Sequence, residues 1–106
     1  MTKWLLAAML FAACSSFRAD GVNVAKLPPD VRGDYEVFAQ RCSKCHSLAR
    51  PLGSGIDDDE YWRWYVERMR RQPSSGISPA DEAPILRFLH YYSETHKNAK
   101  SGSESL

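Results

Sequence analysis

A five-residue motif constrains this chain more than any other feature of its sequence: Cys42-Ser43-Lys44-Cys45-His46. On a helix, residues three apart lie on the same side, so both thiols face one neighbour and the imidazole is held beside them. A thioredoxin-like redox pair has the same cysteine spacing, but it requires a βαβ unit, and no strand pattern flanks the motif. A zinc site requires a second ligand pair, and the other histidines, His90 and His96, have no partner cysteine.

The C-x-x-C-H order of the motif indicates an attachment site for a c-type haem. In such a site Cys42 and Cys45 each bond one vinyl group of the same porphyrin, and His46 becomes the proximal ligand of the iron. We therefore expect one covalently attached haem c as the cofactor. The chain has three cysteines, and this odd count excludes a closed disulfide framework.

Residues 1–19 have the form of a secretory signal. Lys3 is followed by ten apolar residues, 4–13, and then by small residues, which is the order of such signals. The apolar run is too short to span a bilayer as a helix, which requires about 20 residues. The alternative to a secretory signal is a buried N-terminal helix. Cleavage near Asp20 predicts a periplasmic protein. Leu10 to Cys14 also resembles a lipobox, which predicts a membrane tether through lipidated Cys14.

The rest of the chain is long enough for one small domain. Pro28-Pro29 predicts a linker over residues 20–29, followed by a folded domain at 30–96 and a polar, flexible tail at 97–106. The chain has 14 Lys and Arg against 13 Asp and Glu. Nucleic acid is therefore not an expected partner, because phosphate binding requires a surplus of basic residues.

Three main helices are predicted from the spacing of apolar residues. Their apolar faces consist of Val31, Tyr35, Phe38, Cys42 and Cys45 in the first, Trp62, Tyr65, Val66 and Met69 in the second, and Ile85, Phe88, Leu89 and Tyr92 in the third. Asp30 or Asp34 is the expected N-cap of the first helix, and the acidic residues 57–60 begin the second. Pro84 conflicts with a helix start at Ser78, so we expect the third helix at about 82–94.

Met69 is the predicted second axial ligand of the iron, since a thioether commonly fills that position in electron-transferring c-type haems. Removal of the signal deletes Met1 and Met9, which leaves Met69 as the one methionine of the mature chain. A methionine on an apolar face is otherwise a packing residue. His90 and His96 are the competing ligands, but His90 lies off the apolar face and His96 near the end of the helix.

The chain resembles class I c-type cytochromes, especially haem domains related to the photosynthetic reaction-centre cytochromes. The resemblance rests on the motif, on the pattern of Trp62, Val66 and Met69, and on the segment 85–89. The resemblance covers about residues 30–92. It implies an all-α, cytochrome c-like single domain of three main helices around a covalently bound haem, with His46 and Met69 on the iron. It further implies that Phe38 packs against the C-terminal helix.

The resemblance also implies that a loop marked by Pro51 offers a backbone carbonyl to the ring N–H of His46, with an ordinary turn as the alternative. Further roles follow from the residues themselves. Trp62 or Arg63 would donate to a haem propionate. The basic residues 63, 68, 70 and 71 form either a solvated surface or a site for propionates or a partner.

The function that follows is one-electron transfer between redox partner proteins, by a carrier that is not an enzyme. Filled axial positions leave no site for substrate chemistry. A haem sensor or catalytic haem subunit with an open or labile sixth position is the alternative. A membrane-tethered accessory subunit of a larger oxidoreductase is a third.

Overall fold

Four α-helices and no strand make up the part of the chain that the structure describes. This structure is a computed structural model and describes residues 21–104, with side chains through Lys97. The helices are α1 (Pro29–Cys42), α2 (Ala49–Leu52), α3 (Asp59–Arg70) and α4 (Pro79–Glu104), preceded by a 3-10 turn at Val24–Lys26. The predicted all-α class is confirmed. The predicted signal and Cys14 lie outside the described residues.

The core lies where α4 packs against both α1 and α3. The Phe88 ring on α4 lies 4.8 Å from Phe38 and 5.0 Å from Tyr35, both on α1. Phe38 is fully buried, so the expected packing of Phe38 against the last helix is confirmed. The buried apolar residues are Leu27, Tyr35, Phe38, Leu48, Trp62, Val66, Ile77, Ile85, Phe88 and Leu89.

Helix α1 differs from the prediction at both ends. It begins at Pro29 without a side-chain cap, because proline at the first helical position has no N–H to satisfy. The predicted caps Asp30 and Asp34 are therefore wrong, and Asp34 pairs instead with Arg87 of α4 at 2.8 Å. The helix ends at Cys42, so Cys45 lies in the turn that follows and does not extend the helical face.

Helix α3 follows the prediction closely. Asp58 is its N-cap, and the carboxylate accepts a hydrogen bond from the Glu60 amide at 2.7 Å. Trp62 and Val66 are buried on the predicted apolar face, whereas Trp64 points away and is 50% exposed. This face carries Met69 in its last turn, where the residue is half-buried.

Helix α4 begins at Pro79, so the predicted start at 82 is wrong. Ser78 and Asp81 form a reciprocal pair in which each backbone N–H donates to the other side chain, at 2.9 and 3.2 Å. This capping box offsets the backbone hydrogen bond that Pro84 loses inside the helix. The helix also continues through Glu104, past the predicted end at 94. Flexibility of the tail stays a prediction.

The end of α2 and the loop that follows it are attached to α4 by side-chain hydrogen bonds. Tyr92 Oη donates to the Leu52 carbonyl at 3.0 Å, and Ser93 Oγ donates to the Ile56 carbonyl at 3.3 Å.

Within residues 21–104, no helix is both long and apolar enough to cross a membrane.

Candidate functional site

An open cleft lies between the end of α1, the turn after it and the last turns of α3. Its lining includes Cys42, Cys45, His46 and Met69, the four residues predicted to attach the haem or to ligate its iron. The cleft has a volume of about 380 Å³, within the range of about 300–1,000 Å³ that is typical of cofactor sites. The structure thus brings Met69 to the motif across two intervening loops and α2.

The two motif cysteines differ in their surroundings. Cys42 ends α1 and is partly buried, whereas Cys45 is exposed on the following turn. Burial raises the pKa of the Cys42 thiol to about 11, because the thiolate loses hydration there. Both sulfur atoms are free of disulfide bonds, and both residues line the cleft.

The His46 ring is oriented by the residue that follows it. Its Nδ1 lies 3.1 Å from the Ser47 carbonyl oxygen, and because a carbonyl only accepts, Nδ1 is the donor. A donating Nδ1 leaves Nε2 as the nitrogen that can bind a metal. A loop marked by Pro51 was expected to supply this carbonyl, whereas in the structure it belongs to Ser47, directly after the histidine. The Pro51 carbonyl accepts a hydrogen bond from the Ser54 hydroxyl at 2.7 Å. Pro51 itself is buried and does not line the cleft.

Tyr65, one helical turn before Met69, also lines the cleft. Its hydroxyl is buried and has no hydrogen-bond partner among the described residues. Burial raises the pKa of Tyr65, with a further increase from Cys42 and an opposing effect of Arg50. A buried hydroxyl without a partner is costly, so this atom marks a place where a bound group can accept a hydrogen bond. The sequence placed Tyr65 on the apolar face but did not indicate this role.

Three arginines border the cleft: Arg41, Arg50 and Arg68. Arg41 pairs with Asp81 at 3.1 Å. No carboxylate within residues 21–97 forms an ion pair with Arg50 or Arg68. Neither of these two guanidinium groups is neutralised by a carboxylate, so both can bind an anionic group in the cleft. In the sequence, Arg68 is one member of a basic cluster, and no pattern distinguishes Arg50.

Trp62 and Arg63 lie on another side of the molecule. They line a second cleft of about 560 Å³ that contains none of the four predicted haem ligands. The Trp62 indole Nε1 donates to Ser93 Oγ at 2.7 Å, so it already has a partner. The structure therefore gives no support to propionate binding by Trp62 or Arg63.

The two competing histidines also lie away from the cleft that contains the motif. His90 is exposed and its Nδ1 lies 2.8 Å from Asp59. The His96 ring stacks on Tyr92 at 3.9 Å, and its Nδ1 lies 2.9 Å from the Tyr92 carbonyl oxygen. Met69 is thus the one of the three ligand candidates that faces the motif.

No family model, no curated protein and no solved structure matches this chain.

The alternatives for the motif find little support in the described part of the chain. A thioredoxin-like pair requires neighbouring strands, and residues 21–104 contain none. In the same residues, no three or more His, Cys, Asp or Glu side chains lie together as a metal site would require. A haem iron needs no such group, because the porphyrin supplies four ligands and the protein only the axial ones.

The groups around the cleft fit a haem. Two thiols, an imidazole with a free Nε2 and a thioether are the donors that c-type attachment and axial ligation use. The apolar side chain of Ile77 contributes to the wall. The unpartnered Tyr65 hydroxyl and the unpaired Arg50 and Arg68 match the carboxylates of the haem propionates.

Proposed function

We propose that this chain is a monohaem c-type cytochrome that transfers single electrons between partner proteins outside the cytoplasm. The observation that carries the proposal is that Met69 lines the same cleft as Cys42, Cys45 and His46. The motif alone accounts for attachment of the haem and for one axial ligand of the iron. The Met69 thioether, which lines the same cleft as the motif, accounts for the second axial ligand. A haem with both axial positions filled is suited to electron transfer.

Each of the four residues has a separate role in this proposal. Cys42 and Cys45 would hold the porphyrin through thioether bonds, so the cofactor would not be lost on dilution. His46 would bind the iron through Nε2, and the Ser47 carbonyl keeps its ring in place through Nδ1. Met69 would supply its sulfur as the second protein ligand, which would raise the reduction potential.

The bound haem supplies an iron that takes up and releases one electron. The protein restricts the chemistry to that step, because His46 and Met69 leave no iron position for a substrate, and the chain is therefore a carrier rather than an enzyme. Arg50 and Tyr65 hold the propionates, in place of Trp62 and Arg63. The predicted signal at residues 1–19 accords with this function, since export places the chain outside the cytoplasm.

The proposal is tested by producing the full chain in a bacterium that matures c-type cytochromes. We expect the mass of the purified chain to exceed the polypeptide mass by one haem, and we expect Cys42→Ala, Cys45→Ala double substitution to abolish this increase. The visible and near-infrared spectra should contain a sulfur-to-iron charge-transfer band. The ferrous protein should not bind carbon monoxide.

Substitution of Met69 tests the axial ligand. Met69→Ala should remove the charge-transfer band, lower the reduction potential and permit carbon monoxide binding. The matched controls, His90→Ala and His96→Ala, should retain all three wild-type properties. A chain without covalent haem would disprove the proposal, and a wild-type haem that binds carbon monoxide would favour the sensor or catalytic alternative. An acyl group on Cys14 would indicate a membrane-tethered carrier.

A further inference from the structure

The two walls of the motif cleft belong to helices that have little contact with each other. Cys42 ends α1 and forms part of one wall, and Met69 in the last turn of α3 forms part of the other. Among the described residues, α1 and α3 each pack against α4 and make at most slight contact with each other. The separation of the haem-attachment wall from the Met69 wall therefore depends on how α4 holds the two helix ends.

Asp81, in the first turn of α4, holds the haem-attachment wall. Its carboxylate lies 3.1 Å from Arg41 Nε, and Arg41 directly precedes Cys42, the last residue of α1. The same carboxylate oxygen accepts a hydrogen bond of 2.9 Å from the Ser78 backbone N–H, which fixes the position of the carboxylate. Asp81 therefore attaches the end of α1 to the start of α4.

Glu82, the next residue of α4, holds the Met69 wall. It forms an ion pair with Arg70, which directly follows Met69 and is the last residue of α3. The Glu82 and Arg70 side chains are 30% and 33% exposed, so water and salt screen their attraction less than that of a fully exposed pair. The Arg70 carbonyl also accepts a hydrogen bond of 2.8 Å from the Ser75 hydroxyl. Arg70 is thus held through its side chain and through its backbone.

The loop between α3 and α4 also contacts the haem-attachment motif directly. A Cβ atom at Gly76 would collide with the Lys44 ammonium group, so this side chain of the motif passes over the Gly76 backbone. Gly76 has a φ of +70°, a conformation that glycine adopts without strain. The two ion pairs therefore act on walls that already meet at Gly76.

We propose that Asp81 and Glu82 are positioning residues that set the separation of the two walls of the cleft. This inference rests on the proposed function and goes beyond it, because neither carboxylate lines the cleft. By drawing both arginines to a single helical turn, they keep the Met69 thioether within reach of the iron. A group that is already held in its bound position loses less conformational freedom when it binds. The two carboxylates therefore strengthen the bond between Met69 and the iron through the arginines.

The test measures how readily an added ligand displaces Met69 in the haem-loaded full chain. Imidazole titrated into the ferric protein competes with Met69 for the iron, and loss of the sulfur-to-iron charge-transfer band reports the displacement. Glu82→Gln is the informative variant, since it removes the charge and keeps the size, whereas Asp81→Asn would also alter the capping box. We expect Glu82→Gln to bind imidazole about fivefold more tightly than the wild type, the factor that corresponds to loss of one ion pair.

Asp34→Asn is the matched control. Asp34 also forms an ion pair between two helices, with Arg87 of α4, but both residues line the other cleft. This variant should lose a similar amount of stability in denaturant titration and should bind imidazole as the wild type does. A purely structural role of Glu82 would not separate the two measurements in this way.

Exchange of the two charges provides a second test. Arg70→Glu should bind imidazole more tightly than Glu82→Gln does, because two carboxylates then repel each other. The double variant Arg70→Glu, Glu82→Arg restores an ion pair between α3 and α4 and should recover an imidazole affinity close to that of the wild type. A double variant that binds imidazole as tightly as Arg70→Glu would contradict a role for the ion pair.

Wild-type imidazole affinity in Glu82→Gln would overturn the positioning role, while the charge-transfer band of the wild type would still support the proposed function. Equal gains in imidazole affinity by Glu82→Gln and Asp34→Asn would also overturn it, because lower stability alone would then explain the effect. A wild type without covalent haem or without the charge-transfer band would overturn the proposed ligation and the positioning role together. That result is seen in the absorbance spectrum before any titration.

Discussion

The Trp62 indole Nε1 donates a hydrogen bond of 2.7 Å to the Ser93 hydroxyl, and both residues are buried. Ser93 in turn donates to the Ile56 carbonyl at 3.3 Å. Two side chains and one carbonyl therefore connect α3, α4 and the loop that precedes α3. None of these three residues lines the cleft that contains Cys42.

Ser93→Ala should destabilise the protein, because it leaves the buried Trp62 N–H without an acceptor. We expect a loss of about 1–3 kcal/mol in the free energy of unfolding, measured by denaturant titration. The double substitution Ser93→Ala, Trp62→Phe should recover part of that loss, since it removes both polar partners. The haem spectrum should stay the same in all variants, and a spectral change in Trp62→Phe alone would restore the discarded role of Trp62 at the haem.

Phe88→Ala should be among the most destabilising single substitutions, because the ring is fully buried between Tyr35 and Phe38. Removal of a buried phenylalanine costs about 3–5 kcal/mol in transfer and cavity energy. Tyr61→Ala is the control, since that ring is 52% exposed and a surface substitution changes stability by about 0.5 kcal/mol or less. Similar melting temperatures for the two variants would contradict the assigned core.

Tyr65→Phe should destabilise the haem-loaded protein if the hydroxyl binds a propionate. Loss of a hydrogen bond to a charged acceptor costs about 1.5–3 kcal/mol. Tyr91→Phe, a change of the same size on α4 outside the cleft, should leave the unfolding free energy unchanged. A Tyr65→Phe protein as stable as the wild type would show that the hydroxyl stays without a partner when haem is bound.

Asp81 should contribute an acid-sensitive part of the stability. The Ser78 backbone N–H, and to a smaller extent Arg41, lower the pKa of Asp81 below its usual 3.8. A carboxyl whose pKa is lower in the folded state stabilises the fold above the unfolded pKa, and this contribution disappears as the pH falls through the folded value. The melting temperature of Asp81→Asn should therefore lie below that of the wild type at neutral pH.

As the pH is lowered below 3.8, the melting temperatures of Asp81→Asn and the wild type should converge. Substitution of Ser78, the partner of Asp81 in the capping box, provides a second test. Ser78→Ala removes one hydrogen bond without altering the charge of the protein. It should cost about 1 kcal/mol and keep more of the acid sensitivity. Curves for Asp81→Asn and wild type that remain parallel down to acid pH would contradict the assignment.

The buried faces of the helices were predictable from the sequence, because apolar periodicity indicates directly which side of a helix is buried. Phe38, Val66 and Phe88 are buried and Trp64 is exposed, as expected. The helix ends were less predictable. Asp34 is attracted to Arg87 rather than to the start of α1, and the capping box at Ser78 tolerates Pro84. In both cases a specific contact outweighs the usual preference of one residue type.

Some features of the candidate site could also be predicted from the sequence, whereas others depended on the tertiary structure. Cys42, Cys45 and His46 were found from their order in the chain, and Met69 from its side-chain chemistry; that they hold haem stays a prediction. Their common cleft is a structural observation. The partners of His46 and Trp62, which are Ser47 and Ser93, could not be read from the sequence, since the orientation of a ring and the distance to residues far along the chain depend on tertiary packing.

The sequence by itself determined the helical class, the buried faces and the motif, because these depend on spacing between near neighbours in the chain. Only the tertiary structure decided that Tyr65 and Arg50 line the cleft with the motif and that cations gather at its rim. A nearly neutral total charge does not reveal that segregation. The total sums charges regardless of position, whereas the packing of α1 and α3 against α4 determines which charges lie together in space.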